Sequence, residues 1–232
     1  MTGVGAVSEH TGRAVLLRRD DVDTDQIVAA EYCKRITKRG YEDVLFSRWR
    51  QEPGFALNDP AAAGATVLVA GHNFGTGSSR EHAVWALRDW GFRAVLATGF
   101  GDIFRRNALK NGLLPVQLAP EALAELTALV ERDPAGPVSV EVTTRTVRAA
   151  GRSWPFPIDE RARRHLIAGL DEIAVTLSAE AVIAAHERSR PDWLPVVRVH
   201  PAEPAGPFDP QSAVPEPPAP GQSAPAKEWV SR

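Results

Sequence analysis

Short apolar runs divide the first half of the chain into predictable elements. Residues 13–17, residues 66–70 and the runs RAVLAT and LLPVQL are five or six residues long and rich in valine, leucine and alanine. Short runs of this kind predict buried β-strands. The segments EHAVWALRDW and GDIFRRNALKNG lie between the last three runs, and they combine the apolar spacing of helices with a glycine at or just after their ends. The order strand, helix, strand, helix, strand predicts a parallel βαβαβ core.

The second half of the chain adds further elements to that core. PEALAELTALVERDP indicates a helix, and VSVEVTTRTVRAAGRSWPF alternates apolar and polar residues in the manner of a β-hairpin. DERARRHLIAGL and SAEAVIAAHERSR indicate two amphipathic helices, with Ser178 as the N-cap of the second. Beyond residue 201, proline, alanine, glutamate and serine dominate. Because such a composition cannot offset the entropy of ordering, we predict one domain over residues 1–195 and a disordered Pro/Ala-rich tail over residues 196–232.

Composition and charge exclude several classes of function. The chain of 232 residues is 44% hydrophobic and 24% charged, which is typical of a soluble globular protein. Its net charge of −2 provides no general attraction for nucleic acid. The sequence has neither a run long enough to cross a bilayer nor the apolar stretch of a signal peptide, so we expect a cytoplasmic protein without a membrane partner. The single cysteine, Cys33, excludes an internal disulfide and a cysteine-ligated metal site formed by this chain alone.

The stretch GHNFGTGSSREHAVWAL, residues 71–87, contains the most reactive group of side chains. Gly75, Thr76 and Gly77 form a small-residue loop in which the backbone can approach a ligand closely. The free N–H groups of the following helix N-terminus, together with Arg80, favour an anion. The stretch has no lysine for a phosphate loop, no third glycine for a dinucleotide fingerprint and no Gly-x-Ser-x-Gly for a hydrolase. A small carboxylate is the remaining candidate ligand.

Two interpretations of Ser78 are open from spacing alone. Ser78 and Glu81 fit the capping box Ser-x-x-Glu, in which the serine only completes a helix end. Alternatively, Ser78 acts as a base, which requires nearby N–H groups, the helix dipole and Arg80 to stabilise its alkoxide. His82 has a similar pair of interpretations, a proton relay or a structural histidine.

The stretch NFGTGSSREHAVWAL resembles the small subunits of 3-isopropylmalate dehydratases, which belong to the aconitase superfamily. DVDTDQI, GFRAVLATGFGDIFRRNALKNGLLPVQL, FPIDERARRHLIAGLDEIAVTL and RPDWLP extend the resemblance over residues 11–195. Thr76 stands where many relatives have a cysteine, a position at which a small residue suffices.

The resemblance implies a fold, a reaction and a partner. The fold is the swivelling β/β/α domain of the superfamily, an α/β fold to which this chain adds a hairpin and C-terminal helices. The reaction interconverts 2-isopropylmalate and 3-isopropylmalate by loss and return of water, a step of leucine biosynthesis. The family's [4Fe–4S] cluster is held by a separate large subunit, where iron acts as a Lewis acid on the substrate hydroxyl. We therefore expect a heterodimer or higher heteromer in which this chain alone binds no cofactor.

The resemblance also implies roles for individual residues. Ser78 matches the serine that acts as base, and Arg80 matches the arginine that helps to bind a substrate carboxylate. Ser79 donates to the substrate or holds the loop of Gly75, Thr76 and Gly77 against it. Asp25 belongs to the family's Asp-Thr-Asp turn and is expected to act in catalysis or to hold a catalytic group by hydrogen bonds. Cys33 lies in the 28–39 segment, which contacts the variable part of the substrate.

Two alternatives to isopropylmalate chemistry remain open. This chain has Ala29 and Cys33 where isopropylmalate enzymes typically have proline and leucine, which allows a related hydro-lyase acting on another alkyl-malate, citraconate or homoaconitate. The other alternative is a non-catalytic carboxylate-binding module, although the presence of both Ser78 and Arg80 argues against it.

Overall fold

The computed structural model describes residues 5–191 and 193–195. The chain divides into two compact units, Met1–Val182 and Ile183–Arg232. The predicted tail, residues 196–232, lies outside the described residues. None of the described helices has the length and hydropathy that a membrane crossing requires.

One seven-stranded sheet organises the first unit, in the order β4-β3-β2-β1-β5-β6-β7. Its strands are β1 (Glu9–Leu17), β2 (Val67–Ala70), β3 (Ala94–Ala97), β4 (Leu114–Gln117), β5 (Pro137–Glu141), β6 (Thr146–Ala149) and β7 (Arg152–Pro155). The β1–β2, β2–β3 and β3–β4 pairs are parallel, whereas β1–β5, β5–β6 and β6–β7 are antiparallel. β1 joins the two halves, because residues 14–17 pair with β2 and residues 9–13 pair with β5.

The described residues also form seven α-helices: α1 (Thr24–Ile27), α2 (Glu81–Trp90), α3 (Asp102–Lys110), α4 (Pro120–Arg132), α5 (Glu160–Ala168), α6 (Glu172–Leu177) and α7 (Glu180–Ser189). Short 3₁₀ helices at Ala30–Lys34, Trp49–Gln51, Ala56–Asn58 and Pro60–Ala62 occupy the long connection from α1 to β2. The predicted βαβαβ core is confirmed as β2-α2-β3-α3-β4, and α2 ends at Gly91 as its sequence indicates.

Two apolar clusters cover opposite faces of the sheet. In the parallel strands, alternate residues such as Leu68 and Ala70 belong to one cluster, and Val67 and Val69 belong to the other. The first cluster also contains buried residues of α1, α2 and α3, and the second contains those of α4, α5 and β5–β7. The cluster with α1, α2 and α3 supports the residues predicted to form the site.

Two sequence-based predictions were wrong in detail. The predicted hairpin after α4 is a meander of three strands, because a second reversal occurs at Ala150 and Gly151, both at positive φ. Ser178 is the residue that ends α6 rather than the N-cap of α7, and its hydroxyl donates to the carbonyl of Val175. The six-residue helix α6 was not predicted, and the side chain of Asp171 caps it.

Candidate active site

Two segments far apart in the sequence meet at the carboxyl ends of β1 and β2. A bridge joins Asp23 to Thr76, and the backbone N–H of Thr24 donates to the carbonyl of Thr76 over 2.9 Å. The buried hydroxyl of Thr24 donates to the carbonyl of Ser78 over 2.8 Å. The Asp-Thr-Asp turn (residues 23–25) therefore lies directly against the glycine loop (residues 75–80).

The glycine loop depends on one very close approach to α3. Gly75 has a φ of +74°, and a Cβ atom at this position would lie only 2.2 Å from Cγ of Phe104. Its backbone N–H donates to the carbonyl of Val22 over 2.7 Å, so the residue is held from the other side as well. No side chain larger than hydrogen fits between these neighbours. Gly77, at a φ of +87°, is exposed, and a Cβ atom there would make an ordinary contact of 3.4 Å with Cβ of Asp23.

Arg80 and Asp25 form an ion pair in the floor of the site. Both terminal nitrogens of Arg80 contact the carboxylate of Asp25, with Nη2 donating to Oδ2 over 3.0 Å. Nη1 also donates to the carbonyl of Val28 over 3.3 Å, and the backbone N–H of Ala30 donates to Oδ1 of Asp25 over 3.0 Å. The Arg80 side chain is only 16% exposed, whereas Asp25 is 48% exposed. This pair connects the glycine loop to the start of the 28–39 segment.

Electrostatics keeps both partners of the pair charged. The hydrogen bond from Arg80 is the main cause that lowers the pKa of Asp25, and the N–H of Ala30 lowers it further. The same hydrogen bond raises the pKa of Arg80, and the negative charges of Asp25 and Asp23 add to this effect. The guanidinium that was expected to bind a substrate carboxylate is thus already oriented by a carboxylate of the chain itself.

Ser78 and Ser79 are exposed beside this pair. The capping-box interpretation of Ser78 is wrong, because α2 begins at Glu81 with Arg80 as its N-cap, and no side chain caps it. Within the described part of the chain, neither serine hydroxyl forms a hydrogen bond, and the carboxylate of Glu81 accepts from Asn111 instead. The first N–H groups of α2 are therefore free of side-chain caps, which favours negative charge at this point.

His82 packs among aromatic rings rather than into the site. Its ring lies 4.8 Å from that of Trp85 and 5.5 Å from that of Tyr41, both in edge-on arrangements. Burial lowers the pKa of His82, with Arg80 a smaller contributor in the same direction. This packing favours the structural interpretation of the histidine.

The 28–39 segment is fixed at its base and open at its tip. Cys33 is half-buried in the 3₁₀ helix Ala30–Lys34. Arg35 donates to both carboxylate oxygens of Asp43 over 2.7 and 2.8 Å, so its charge is paired with a carboxylate just beyond the segment. The hydroxyl of Tyr41 donates to the carbonyls of Arg35 and Thr37, whereas Ile36 is fully exposed.

Sequence reasoning missed the residues that support the site from behind. Phe104, Asn111 and Tyr41 fix the glycine loop, the start of α2 and the 28–39 segment. For these three residues the only local sequence signal was Gly112, which follows Asn111, and it indicated the end of a helix rather than a contact with the site. Among the described residues, no group of three histidine, cysteine or acidic side chains is arranged to hold a metal ion.

Comparison with known proteins identifies the class of this fold and site. Residues 5–121 match the aconitase C-terminal domain, so the chain carries the domain that defines this class. The chain is 58% identical to the 3-isopropylmalate dehydratase small subunit of Salinispora arenicola, over 81% of this chain and 96% of the relative. The subunit of the same name from Streptomyces coelicolor is 54% identical, over 82% of this chain and 96% of the relative.

A solved structure agrees with these relatives. The crystal structure of 3-isopropylmalate dehydratase from Methanocaldococcus jannaschii matches with a TM-score of 0.56 and 25% identity, over 77% of this chain and 99% of that one. The chain therefore belongs to the family of 3-isopropylmalate dehydratase small subunits. The resemblance and the fold class predicted from the sequence are both confirmed.

Proposed function

We propose that this chain is the small subunit of a 3-isopropylmalate dehydratase, which interconverts 2-isopropylmalate and 3-isopropylmalate in leucine biosynthesis. The observation that carries the proposal is the exposed Ser78 hydroxyl, which has no hydrogen bond to the described residues, on a loop held against the turn of the Asp25–Arg80 pair. The naming of relatives at 54–58% identity supports the reaction.

Ser78 is assigned the role of base. It precedes the uncapped start of α2, where free N–H groups and the helix dipole stabilise an alkoxide. Arg80 adds a fixed positive charge two residues further on. In this arrangement, Ser78 removes the proton from the carbon next to the one that carries the hydroxyl, and returns it in the reverse direction.

Arg80 is assigned to a substrate carboxylate, and Asp25 to the orientation of Arg80. A guanidinium presents five N–H donors, so Arg80 can keep contact with Asp25 while donating to a ligand from another edge. Asp25, predicted as catalytic, is proposed to act by holding Arg80 and the N–H of Ala30 in place. Ser79 and the backbone of Gly75, Thr76 and Gly77 complete the carboxylate-binding surface.

The proposal places the [4Fe–4S] cluster in a large partner subunit. A chain with one cysteine does not fit the three-cysteine ligand set of such a cluster. The cluster supplies the Lewis acid for the substrate hydroxyl, and this chain supplies the base and the carboxylate-binding groups. The partners are thus the large subunit and a small dicarboxylate or tricarboxylate, in the cytoplasm, with neither nucleic acid nor membrane involved.

Isopropylmalate is the proposed substrate, with Cys33 in the surface that contacts the part of the substrate that varies. Arg35 is engaged by Asp43, which leaves it less suited to an additional substrate carboxylate and disfavours homoaconitate. Cys33 is smaller than leucine, so another alkyl-malate remains the alternative substrate.

The test is Ser78→Ala in the complex assembled with the large subunit. Loss of the base should lower kcat by about 10²- to 10⁴-fold. Because the hydroxyl of Ser78 does not cap α2 and bonds to none of the described residues, the free energy of unfolding should change by less than about 0.5 kcal/mol. Ser153→Ala, at an exposed serine of β7, is the matched control and should leave both quantities unchanged. Turnover near the wild-type level in Ser78→Ala would remove the assignment of Ser78 as base.

A further inference from the structure

Asn111 ties the start of α2 to the end of α3. Its Nδ2 donates to Oε1 of Glu81 over 2.8 Å and to the carbonyl of Asn107 over 2.9 Å. Its Oδ1 accepts from Nε1 of Trp85 over 3.1 Å. The backbone N–H of Asn111 donates to the carbonyls of Asn107 and Ala108, so the residue itself is anchored in the last turn of α3. One amide side chain thereby engages two residues on successive turns of α2.

This link lies directly behind the glycine loop. Glu81 is the residue after Arg80, and α2 has no side-chain cap to define its first turn. Uncapped helix ends fray, because their first N–H groups have no intrahelical partner. The hydrogen bond from Asn111 to Glu81 therefore fixes where α2 begins, and with it the direction in which residues 78–80 leave the helix.

The same link reaches towards the 28–39 segment. The ring of Trp85 lies 5.8 Å from that of Tyr41, whose hydroxyl holds the carbonyls of Arg35 and Thr37. Nζ of Lys38 lies 5.9 Å from the centre of the Trp85 ring. Trp85 therefore stands between Asn111 and the segment proposed to contact the variable part of the substrate.

Helix α3 supports the glycine loop through one residue near the start of the helix and one residue just past the end of the helix. Near the start of α3, Phe104 packs against Gly75, and just past its end Asn111 holds Glu81. The loop and its flanking residue are thus fastened to a single rigid element. Steric contact fixes Gly75 against Phe104, so a hydrogen bond is needed only where Asn111 holds Glu81.

We propose that Asn111 is a positioning residue for the glycine loop, acting through Glu81 and Trp85. The inference rests on the proposed function, in which this loop carries the base Ser78 and the carboxylate-binding Arg80. Asn111 does not touch the substrate. It holds the hydroxyl and the guanidinium in the geometry that the reaction needs, and small displacements of such groups reduce rates strongly.

The test compares variants in the assembled complex. Asn111→Asp keeps the acceptor for Trp85 but removes the donor and places a second carboxylate against Glu81. Asn107→Ala is the matched control on the same helix, because it keeps the backbone carbonyl that accepts from Asn111. The double variant Glu81→Gln with Asn111→Asp exchanges donor and acceptor at this bond, since the amide of glutamine can donate to the new aspartate. The hydrogen bond to the carbonyl of Asn107 is lost in both the single and the double variant.

Two readouts separate positioning from general stability. We expect kcat of Asn111→Asp to fall by about tenfold or more, with amide hydrogen exchange faster in residues 75–81 at unchanged assembly. The double variant Glu81→Gln with Asn111→Asp should recover most of both losses, and Asn107→Ala should change neither quantity. Unchanged kcat and hydrogen exchange in Asn111→Asp, or losses that the double variant leaves undiminished, would overturn the proposal. Hydrogen exchange decides this point even if Ser78→Ala stays active and the proposed base is wrong.

Discussion

Replacing Gly75 with alanine tests the closest packing contact in the site. An alanine Cβ would lie 2.2, 2.6 and 2.7 Å from three atoms of Phe104. Phe104 is 2% exposed, and its ring packs edge-on against Phe74 and parallel to Phe100, so it has no free space to move into. The loop must therefore shift, or the cluster must be overpacked.

The magnitude follows from two separate terms. Alanine at positive φ costs about 1–2 kcal/mol, and overpacking of a buried cluster costs about 1–3 kcal/mol. Gly75→Ala should therefore lower the free energy of unfolding by about 2–5 kcal/mol, a large share of the about 5–15 kcal/mol typical of a domain. For a domain of this size, Tm should fall by about 4–20 °C.

Gly151→Ala is the control that isolates the steric term. Gly151 has nearly the same φ, +76° against +74° for Gly75, but nothing lies within 4 Å of its Cβ position. It should therefore show only the backbone term, about 1–2 kcal/mol. Urea and thermal unfolding of the isolated chain, followed by circular dichroism, give both values. Equal losses for the two variants would refute the argument that Phe104 excludes a side chain at Gly75.

Three further predictions concern pH, substrate and the C-terminal tail. Burial lowers the folded-state pKa of His82 and of His10 below the ordinary value of 6.5. The unfolded chain therefore binds more protons than the folded chain as pH falls below 6.5, and the folded state loses stability. Unfolding by urea should be easier at about pH 5.5 than at about pH 7.5, and His82→Phe should reduce this difference. Cys33→Leu should raise the specificity constant for isopropylmaleate relative to citraconate by about 10- to 200-fold, because one or two methylene-sized contacts are gained, and an unchanged ratio would remove Cys33 from the specificity surface. Deletion of residues 196–232 should leave turnover and assembly with the large subunit intact, as measured by steady-state rates and gel filtration, whereas loss of assembly would make the tail an interface segment.

The parallel half of the sheet could be predicted because its strands are buried on both faces. All four residues of β2 and of β3 are buried, so continuous apolar runs mark them without ambiguity. The third strand of the meander was missed because its turn contains Ala150 at a φ of +47°, a residue type that seldom marks such a turn. Ser178 was misassigned because a serine hydroxyl can also donate backwards, as it does here to Val175.

The members of the site could be proposed from motifs, but their contacts could not. The spacing of Ser78 and Glu81 satisfies a capping box, yet Glu81 has its partner at Asn111, 30 residues away in the sequence. Likewise, nothing local indicates that Asp25 and Arg80, 55 residues apart, form an ion pair. Such pairings depend on how β1 and β2 bring their carboxyl ends together, which is a property of the sheet rather than of any single segment.

The division of β1 between two sheet partners affects how the chain is made on the ribosome. Strands β1 to β4 are complete once Gln117 has been synthesised, but β5 ends about 24 residues later, at Glu141. At a synthesis rate of about 5–20 residues per second, residues 9–13 of β1 remain for roughly 1–5 s without the backbone hydrogen bonds that β5 will form with them. An unpaired strand edge is a template for aggregation, and charged residues are a usual protection against it. The waiting residues 9–13 are Glu-His-Thr-Gly-Arg, whereas the apolar residues 14–17 already have β2 as their partner. During the delay, the part of β1 that lacks a partner strand is thus its polar part, residues 9–13, whereas the apolar residues 14–17, which are more prone to aggregate, are already paired with β2.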